Sequence, residues 1–220
     1  MQIDQLITYI AVAALPVLFA ITLHEAAHGY VARHFGDMTA ARAGRISLNP
    51  MRHIDPVGTI LFPILTMWLG GILFGWAKPV PVNFGALHHP KRDMLWVALA
   101  GPAANLFMAA CWAVVATIAL AVPDNFFAAP LYEIARYGIK INVILIALNM
   151  LPIPPLDGGR VAVSLLPHRQ AVALARLEPY GMVILIFMML PIFGGASLLG
   201  LVLFPVINAL GGLIYFIFGL

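Results

Sequence analysis

The sequence predicts an all-α polytopic membrane protein, and its composition is the first reason. Hydrophobic residues make up 62% of the 220 residues and charged residues only 10%, whereas a soluble domain carries about 25% charged residues. The mean hydropathy is +0.97. Several stretches approach or exceed the roughly 20 apolar residues that a membrane-spanning helix needs. No basic run typical of nucleic-acid binding is present. We therefore expect the lipid bilayer, and not nucleic acid, as a partner.

Five apolar stretches follow one another along the chain, in residues 5–28, 56–77, 94–123, 141–156 and 179–220. The second lacks formal charge but contains Pro63 and several glycines, and the fourth is short and ends in a proline-rich run. The fifth is long enough for one or two helices, with Gly194 and Gly195 as the expected break. The sequence thus predicts one membrane-embedded domain over residues 1–220. Its core would lie in 5–160 and its C-terminal transmembrane region in 179–220.

The first apolar stretch ends in the run His24-Glu25-Ala-Ala-His28. Residues four apart share one face of a helix, so His24 and His28 can direct two imidazoles at one zinc ion. Glu25 lies about 100° further around the helix, where it can reach a water molecule without binding the metal. The alternative is a pair of solvated histidines near a helix end. Ionisable residues are costly inside a membrane, which favours the zinc interpretation.

A third zinc ligand is expected elsewhere, because catalytic zinc has three protein ligands and one open position. Asp157 is the candidate, since a lone carboxylate at the end of an apolar helix is costly unless it is paired or binds a metal. Gly158 and Gly159 allow the backbone to turn after it. The alternative for Asp157 is an Asp-Gly turn at the membrane boundary.

Three motifs together resemble the site-2 protease family of intramembrane zinc metalloproteases, peptidase family M50. They are His24-Glu25-x-x-His28, the run Gly101-Pro-Ala-Ala-Asn105, and the Asn-x-x-Pro-x-x-x-Leu-Asp-Gly pattern within residues 149–159. The resemblance extends from about residue 20 to residue 160. The stretches 47–59 and 76–83 are similar to the small subgroup that lacks a PDZ domain.

The resemblance implies a zinc metalloendopeptidase that hydrolyses peptide bonds in or near transmembrane segments of membrane-anchored proteins, in regulated intramembrane proteolysis. One Zn²⁺ per chain would activate water, with Glu25 as the general base. Asn149, and with it Asn105, would line the site and position substrate or stabilise the oxyanion. For each asparagine the alternative is a helix–helix hydrogen bond. The implied partner is a membrane-anchored protein substrate.

Zinc ligation also constrains the topology, because His28 and Asp157 must lie at the same membrane depth. One full crossing between them, at 94–123, satisfies this if 56–77 enters the membrane and returns. The sequence therefore predicts a three-helix catalytic core, a re-entrant or extended segment, and one or two C-terminal helices. Of the 12 basic residues, only Arg136 and Lys140 then lie on one side of the membrane, and all the others lie on the side of the zinc site. The positive-inside rule makes the side with most of the basic residues cytoplasmic. The active site would then face the cytoplasm of a multi-pass protein in a bacterial plasma membrane.

The alternating valines and prolines of residues 76–83 predict an extended segment. Val80 and Val82 are the candidates for holding an unwound substrate by strand addition. The role of His53 is left open. A second function class is a non-proteolytic, zinc-bound membrane scaffold or chaperone for transmembrane helices, against which the general base Glu25 argues. A zinc or ion transporter is a third, and the lack of a second acidic or histidine cluster counts against it.

Overall fold

The structure, a computed structural model, describes residues 3–61, 75, 77–193 and 196–220. Helices dominate these residues, and the predicted all-α polytopic membrane fold is confirmed. The α-helices are α1 (Ile3–His34), α2 (Thr39–Arg42), α3 (Pro90–Ala121), α4 (Ala128–Asn149), α5 (Asp157–Leu165), α6 (His168–Ala175), α7 (Gly181–Met189) and α8 (Leu198–Phe218). Short 3-10 turns occupy Pro50–Arg52, Phe84–Ala86 and Glu178–Tyr180, and a π-helical turn occupies Pro56–Leu61. Two short antiparallel strands, β1 (Pro191–Phe193) and β2 (Ala196–Ser197), precede α8.

Four helical runs among the described residues are long and apolar enough to cross a membrane: Val12–His34, Pro90–Ala121, His168–Met189 and Leu198–Phe218. The C-terminal region therefore contains one helix, α8, that can cross alone. Helix α7 has 9 residues and reaches only about 14 Å. It attains spanning length only as a continuation of α6.

The fourth apolar stretch was predicted too short and too late in the chain. The structure has a 22-residue helix, α4, that begins at Ala128 and ends at Asn149. Hydropathy hid its first half, because that half carries Glu133, Arg136 and Lys140. Arg136 and Lys140 therefore lie inside a helix rather than in a loop. At about 33 Å, α4 is long enough to cross the hydrocarbon core.

Helices α1, α3 and α4 make the most extensive contacts with one another and form the three-helix core. Helices α3 and α4 are joined by residues 122–127 and run antiparallel, since Asn105 contacts Asn142 and the later Trp112 lies against the earlier Gly138. The packed residues of this pair include Ala109, Ala113 and Val143. Small residues let the helix backbones approach closely, which is how helices associate in lipid.

Two predictions fall largely or wholly on residues outside the described ranges. The re-entrant path of 56–77 is one, since only residues 56–61, 75 and 77 are described. The break at Gly194 and Gly195 is the other, although the flanking residues belong to β1 and β2.

Candidate metal centre

Three ligand-bearing side chains meet between α1 and the start of α5. His24 and His28 lie on one face of α1, and their Nε2 atoms are 3.1 Å apart. Asp157, the first residue of α5, brings Oδ2 to 3.2 Å from Nε2 of His24 and Oδ1 to 3.3 Å from Nε2 of His28. All three residues are buried, with 6–8% of their surface exposed. Among the residues that the structure describes, these three form the one group of histidine, cysteine and acidic side chains close enough together to hold a metal ion.

Hydrogen bonds at the far side of each imidazole determine which nitrogen faces the centre of this group. Nδ1 of His28 lies 2.7 Å from the backbone oxygen of Val97, and Nδ1 of His24 lies 2.6 Å from Oδ1 of Asn105. A carbonyl oxygen can only accept, so each Nδ1 carries a proton and donates it. In a neutral imidazole the Nε2 atom then holds a lone pair. Both lone pairs therefore point toward Asp157, as metal ligation requires.

Gly101 lets α3 lie directly against these two imidazoles. A Cβ atom built at this position would stand 2.6 Å from Nε2 of His24 and closer still to Nε2 of His28. Contacts below 3.0 Å are essentially never made by real Cβ atoms, so any other residue would force the rings to move. The glycine of the Gly101-Pro-Ala-Ala-Asn105 run thus leaves room for the cluster.

Gly158 performs a similar steric role for Asp157. The start of α5 packs on the turn that follows α4, and a Cβ atom at Gly158 would overlap the backbone of Met150. Close packing of α5 on this turn brings the Asp157 carboxylate to the histidines. The Asp-Gly-Gly sequence therefore sets the position of the carboxylate through backbone contact, and not only through the freedom to turn.

The donor set and its spacing fit a zinc ion. Tetrahedral zinc, with ligand distances of about 2.0–2.2 Å, keeps its ligand atoms about 3.3 Å apart, and the distances here are 3.1–3.3 Å. The side-chain oxygen Oδ2 of Asp157 is buried and accepts no hydrogen bond from the residues that the structure describes. Two imidazole lone pairs and a carboxylate at this spacing repel one another unless a cation or proton lies between them. Two nitrogens and one carboxylate are a ligand set known for catalytic zinc.

Glu25 lies beside the cluster but does not belong to it. Its side chain is partly buried, and its Oε2 atom accepts a hydrogen bond of 2.7 Å from the backbone N–H of Val80. The carboxylate is therefore fixed by the segment that was predicted to bind substrate. Sequence spacing gave no sign of this contact, because 55 residues separate the two partners.

Residues 77–83, which we call the extended segment, are held at both ends. The N–H of Lys78 donates to the oxygen of His53 over 2.9 Å, and Arg45 donates to the oxygen of Lys78 over 2.9 Å. At the other end the N–H of Asn83 donates to Oδ2 of Asp37 over 2.7 Å. Val80 is buried and Val82 half-buried. The extended segment thus passes close to Glu25 and is held in place by these hydrogen bonds, without pairing to a β-strand of the described structure.

Asp37 anchors this segment as a carboxylate. Burial disfavours its charged form, but hydrogen bonds from the side chain and backbone of Thr39 and from the backbone of Asn83 outweigh that effect. Together they hold the pKa of Asp37 below its ordinary value. The anchor therefore remains ionised at neutral pH.

The two predicted asparagines have different surroundings. Asn105 is fully buried and contacts His24 directly. Asn149, the last residue of α4, is half-buried, and its side chain makes no hydrogen bond to the described residues. Its role near substrate stays a prediction. His53, whose role was left open, is 1% exposed. Its Nε2 lies 2.8 Å from the backbone oxygen of Ser47, and its own backbone oxygen holds Lys78.

Sequence reasoning missed Asn142. This residue is fully buried in α4 and bonds to Asn105 over 2.9 Å. Its signal was available: it is an amide between Ile141 and Val143 in a membrane helix, where polar residues are costly unless they have a partner.

Comparisons with known proteins identify zinc metalloproteases as relatives. A sequence profile described as Peptidase family M50 matches residues 117–192, which include Asp157 but not the histidines. A Bacillus subtilis (strain 168) protein named "Putative zinc metalloprotease YwhC" is 35% identical over 196 residues, covering 88% of this chain and 84% of that protein. "Putative zinc metalloprotease Rip2" of Mycolicibacterium smegmatis is 33% identical over 193 residues, covering 84% of this chain and 70% of that protein. The Mycobacterium tuberculosis (strain H37Rv) protein of the same name is 30% identical over 208 residues, covering 92% and 71%.

No solved structure matches the chain. The similarity to YwhC, at 35% identity over most of both chains, is sufficient to establish the relationship. The chain belongs to peptidase family M50, the site-2 protease family of zinc metalloproteases.

Proposed function

We propose that this protein is an intramembrane zinc metalloendopeptidase that hydrolyses peptide bonds in or near the transmembrane segments of membrane-anchored proteins. The observation that carries the proposal is the buried cluster of His24, His28 and Asp157 among helices of membrane-spanning length. Burial of such ionisable side chains in a membrane is costly, and where it occurs it indicates a functional site. One membrane domain, residues 1–220, would perform the whole reaction.

His24, His28 and Asp157 would hold one Zn²⁺ per chain. When bound, zinc acts as a Lewis acid that polarises a carbonyl group and lowers the pKa of water. Asn105 and the backbone oxygen of Val97 keep the two imidazoles oriented through their Nδ1 protons. The protein therefore supplies a fixed ligand set, and the proton transfers are left to Glu25.

Glu25 would act as the general base and then as the general acid. Its carboxylate takes one proton from the attacking water as the new carbon–oxygen bond forms, and it delivers that proton to the amine nitrogen as the carbon–nitrogen bond breaks. The hydrogen bond from Val80 leaves the other oxygen of the carboxylate available for this transfer. Asn149, at the C-terminal end of α4, is proposed to help position the substrate.

The substrate would lie along the extended segment, because a transmembrane helix must unwind before its peptide bonds are accessible. Pro79 and Pro81 have no N–H, and the N–H groups of Lys78, Val80 and Asn83 are used within the protein. The N–H of Val82 makes no hydrogen bond to the described residues and remains for a substrate carbonyl. Strand addition would thus depend on one N–H donor from the protein, that of Val82, two residues along the chain from Val80, which fixes Glu25.

Val80→Pro and Val82→Pro are each expected to lower the rate of cleavage by about tenfold, because each removes one hydrogen bond. The first variant frees Glu25 and should act on kcat, whereas the second removes the proposed substrate contact and should raise KM. Zinc content should stay unchanged in both. Alanine variants at the same positions keep the N–H and should lose less activity than the proline variants. Equal effects of alanine and proline would contradict this role for the backbone.

The proposed function is tested by zinc content and cleavage in the same preparations. The protein purified in detergent should bind about one zinc per chain, and in vesicles it should cleave a single-span reporter whose helix contains a Gly-Pro pair. Asp157→Ala should lose both properties. Asp124→Ala, at an exposed position outside the cluster, is the matched control and should lose neither. A wild-type protein that fails to bind zinc, or an Asp157→Ala variant that binds as tightly, would contradict the proposal. Zinc binding without cleavage would favour the scaffold function.

The metal centre is proposed to face the cytoplasm. Arg136 and Lys140 lie within α4, and the connection 122–127 between α3 and α4 contains no lysine or arginine. The remaining basic residues fall at the other end of the α3–α4 pair if 56–77 returns to its starting side. The charge asymmetry therefore supports this orientation under the positive-inside rule.

A further inference from the structure

A chain of polar groups runs from the metal cluster through the middle of the helical core. His24 in α1 contacts Asn105 in α3 over 2.6 Å, Asn105 contacts Asn142 in α4 over 2.9 Å, and Asn142 contacts the backbone oxygen of Gly138 over 2.8 Å. Both asparagines are fully buried. Every polar atom of this chain must find its partner inside the protein, because the surroundings are apolar.

The direction of each hydrogen bond follows from the last group, a backbone carbonyl. The oxygen of Gly138 can only accept, so the Nδ2 of Asn142 faces it and the Oδ1 of Asn142 faces Asn105. Asn105 must then present its own Nδ2 to Asn142. The same Nδ2 also donates to the backbone oxygen of Ala20 over 3.3 Å. Oδ1 of Asn105 is left to face His24.

This order of donors and acceptors determines the tautomer of His24. Facing an acceptor, Nδ1 carries the proton, and Nε2 keeps the lone pair that points at Asp157. If the amide of Asn105 turned over, it would present N–H groups to Nδ1. The proton would then move to Nε2, which could no longer bind a metal.

We propose that Asn142 is a positioning residue: together with the more distant backbone oxygen of Ala20 it fixes the orientation of the Asn105 amide and thereby keeps Nε2 of His24 free to bind metal. The inference rests on the proposed function for the assignment of His24 as a metal ligand. The readout is the proton on Nδ1 of His24, which faces Asn105 and not the cluster, so it can be measured without zinc or substrate whether or not Nε2 also carries a proton.

The test compares Asn142→Leu, which removes the acceptor at similar volume, with Asn142→Asp. In this buried position desolvation keeps the Asp side chain neutral. A neutral carboxyl donates its O–H to Gly138 and accepts from Asn105, so it reproduces both bonds of the amide. Asn142→Ala removes the acceptor without adding apolar bulk. Asn208→Leu, the same substitution at an exposed position in α8, is the matched control.

Two measurements are made on detergent-solubilised full-length protein. The first is the ¹⁵N NMR spectrum of histidine-labelled, metal-free protein, with His24 assigned by comparison with His24→Ala. The second is zinc affinity from competition with a chelator. Asn142→Leu and Asn142→Ala should show partial loss of the proton on Nδ1 of His24 and zinc affinity about 10–100-fold weaker, as for other groups that orient metal ligands. Asn142→Asp and Asn208→Leu should keep the wild-type tautomer and affinity.

A double variant separates action through Asn105 from a direct effect. In an Asn105→Ala background, adding Asn142→Leu should weaken zinc binding no further. A full additional loss would overturn the proposal. So would a wild-type tautomer in Asn142→Leu or Asn142→Ala, failure of Asn142→Asp to rescue, or failure of both apolar variants to fold, which would assign Asn142 to packing. If the wild-type protein binds no zinc, the proposed function fails, while the tautomer spectra still decide the role of Asn142.

Discussion

Replacing Glu25 with glutamine is expected to lower the rate of peptide-bond hydrolysis by about 10²–10⁴-fold while leaving zinc content unchanged. Glutamine keeps the size of the side chain, and its carbonyl oxygen can still accept the hydrogen bond from Val80. It cannot take a proton from water. Glu25 is not among the residues of the metal cluster, so zinc binding should persist. The measurement pairs metal analysis with turnover of the single-span reporter in vesicles.

The matched control for this variant is Glu133→Gln. Glu133 is a half-buried glutamate in α4 that pairs with Arg136 over 3.1 Å, and its replacement should leave both turnover and zinc unchanged. Turnover of Glu25→Gln close to the wild-type rate would exclude Glu25 as the general base. Loss of zinc together with turnover would instead make Glu25 part of the metal site.

Gly101→Ala is expected to weaken zinc binding by roughly 10- to 100-fold, because overpacking of a close contact costs about 1–3 kcal/mol. The added methyl group would press on the imidazoles of both His24 and His28. Both rings are also fixed from behind by Asn105 and Val97, so neither can retreat without breaking a buried hydrogen bond. Zinc affinity from chelator competition measures the effect.

Gly212→Ala provides the control for this substitution. It makes the same change in the transmembrane helix α8, where no other part of the described structure lies within 4 Å of the added Cβ atom. Alanine is the better helix former, so this variant should bind zinc normally and be at least as stable as the wild type. Equal zinc affinity in the two variants would mean that the histidines are not held against α3.

Local periodicity predicted the part of the site that lies within one helix. The four-residue spacing of His24 and His28 places them on one face for any straight helix, and the structure brings Asp157 to the same point. The more distant contacts were not predictable in this way. The bond between Glu25 and Val80 depends on the path of a long intervening stretch, and the space left by Gly101 depends on how α3 packs against α1.

Average hydropathy was least informative for α4. It detected the apolar second half of this helix and assigned the charged first half to a loop, although backbone hydrogen bonding continues through both. Asn142 was missed for a related reason, since one amide barely changes the average of an apolar window. For Asn142 the polar residue indicated a tertiary contact that averaging obscured.

The charges within α4 also have a consequence for biogenesis. A lysine or arginine near the centre of a nascent helix costs about 2.5–3.5 kcal/mol during insertion by the translocon, and α4 carries Arg136 and Lys140 together with Glu133. Helix α3, which is strongly apolar, directly precedes it. Favourable insertion of α3 offsets the unfavourable insertion of α4 if the two enter the bilayer as one helical hairpin. Asp157, which follows α4, would then reach the histidines of α1 only after that hairpin is in place.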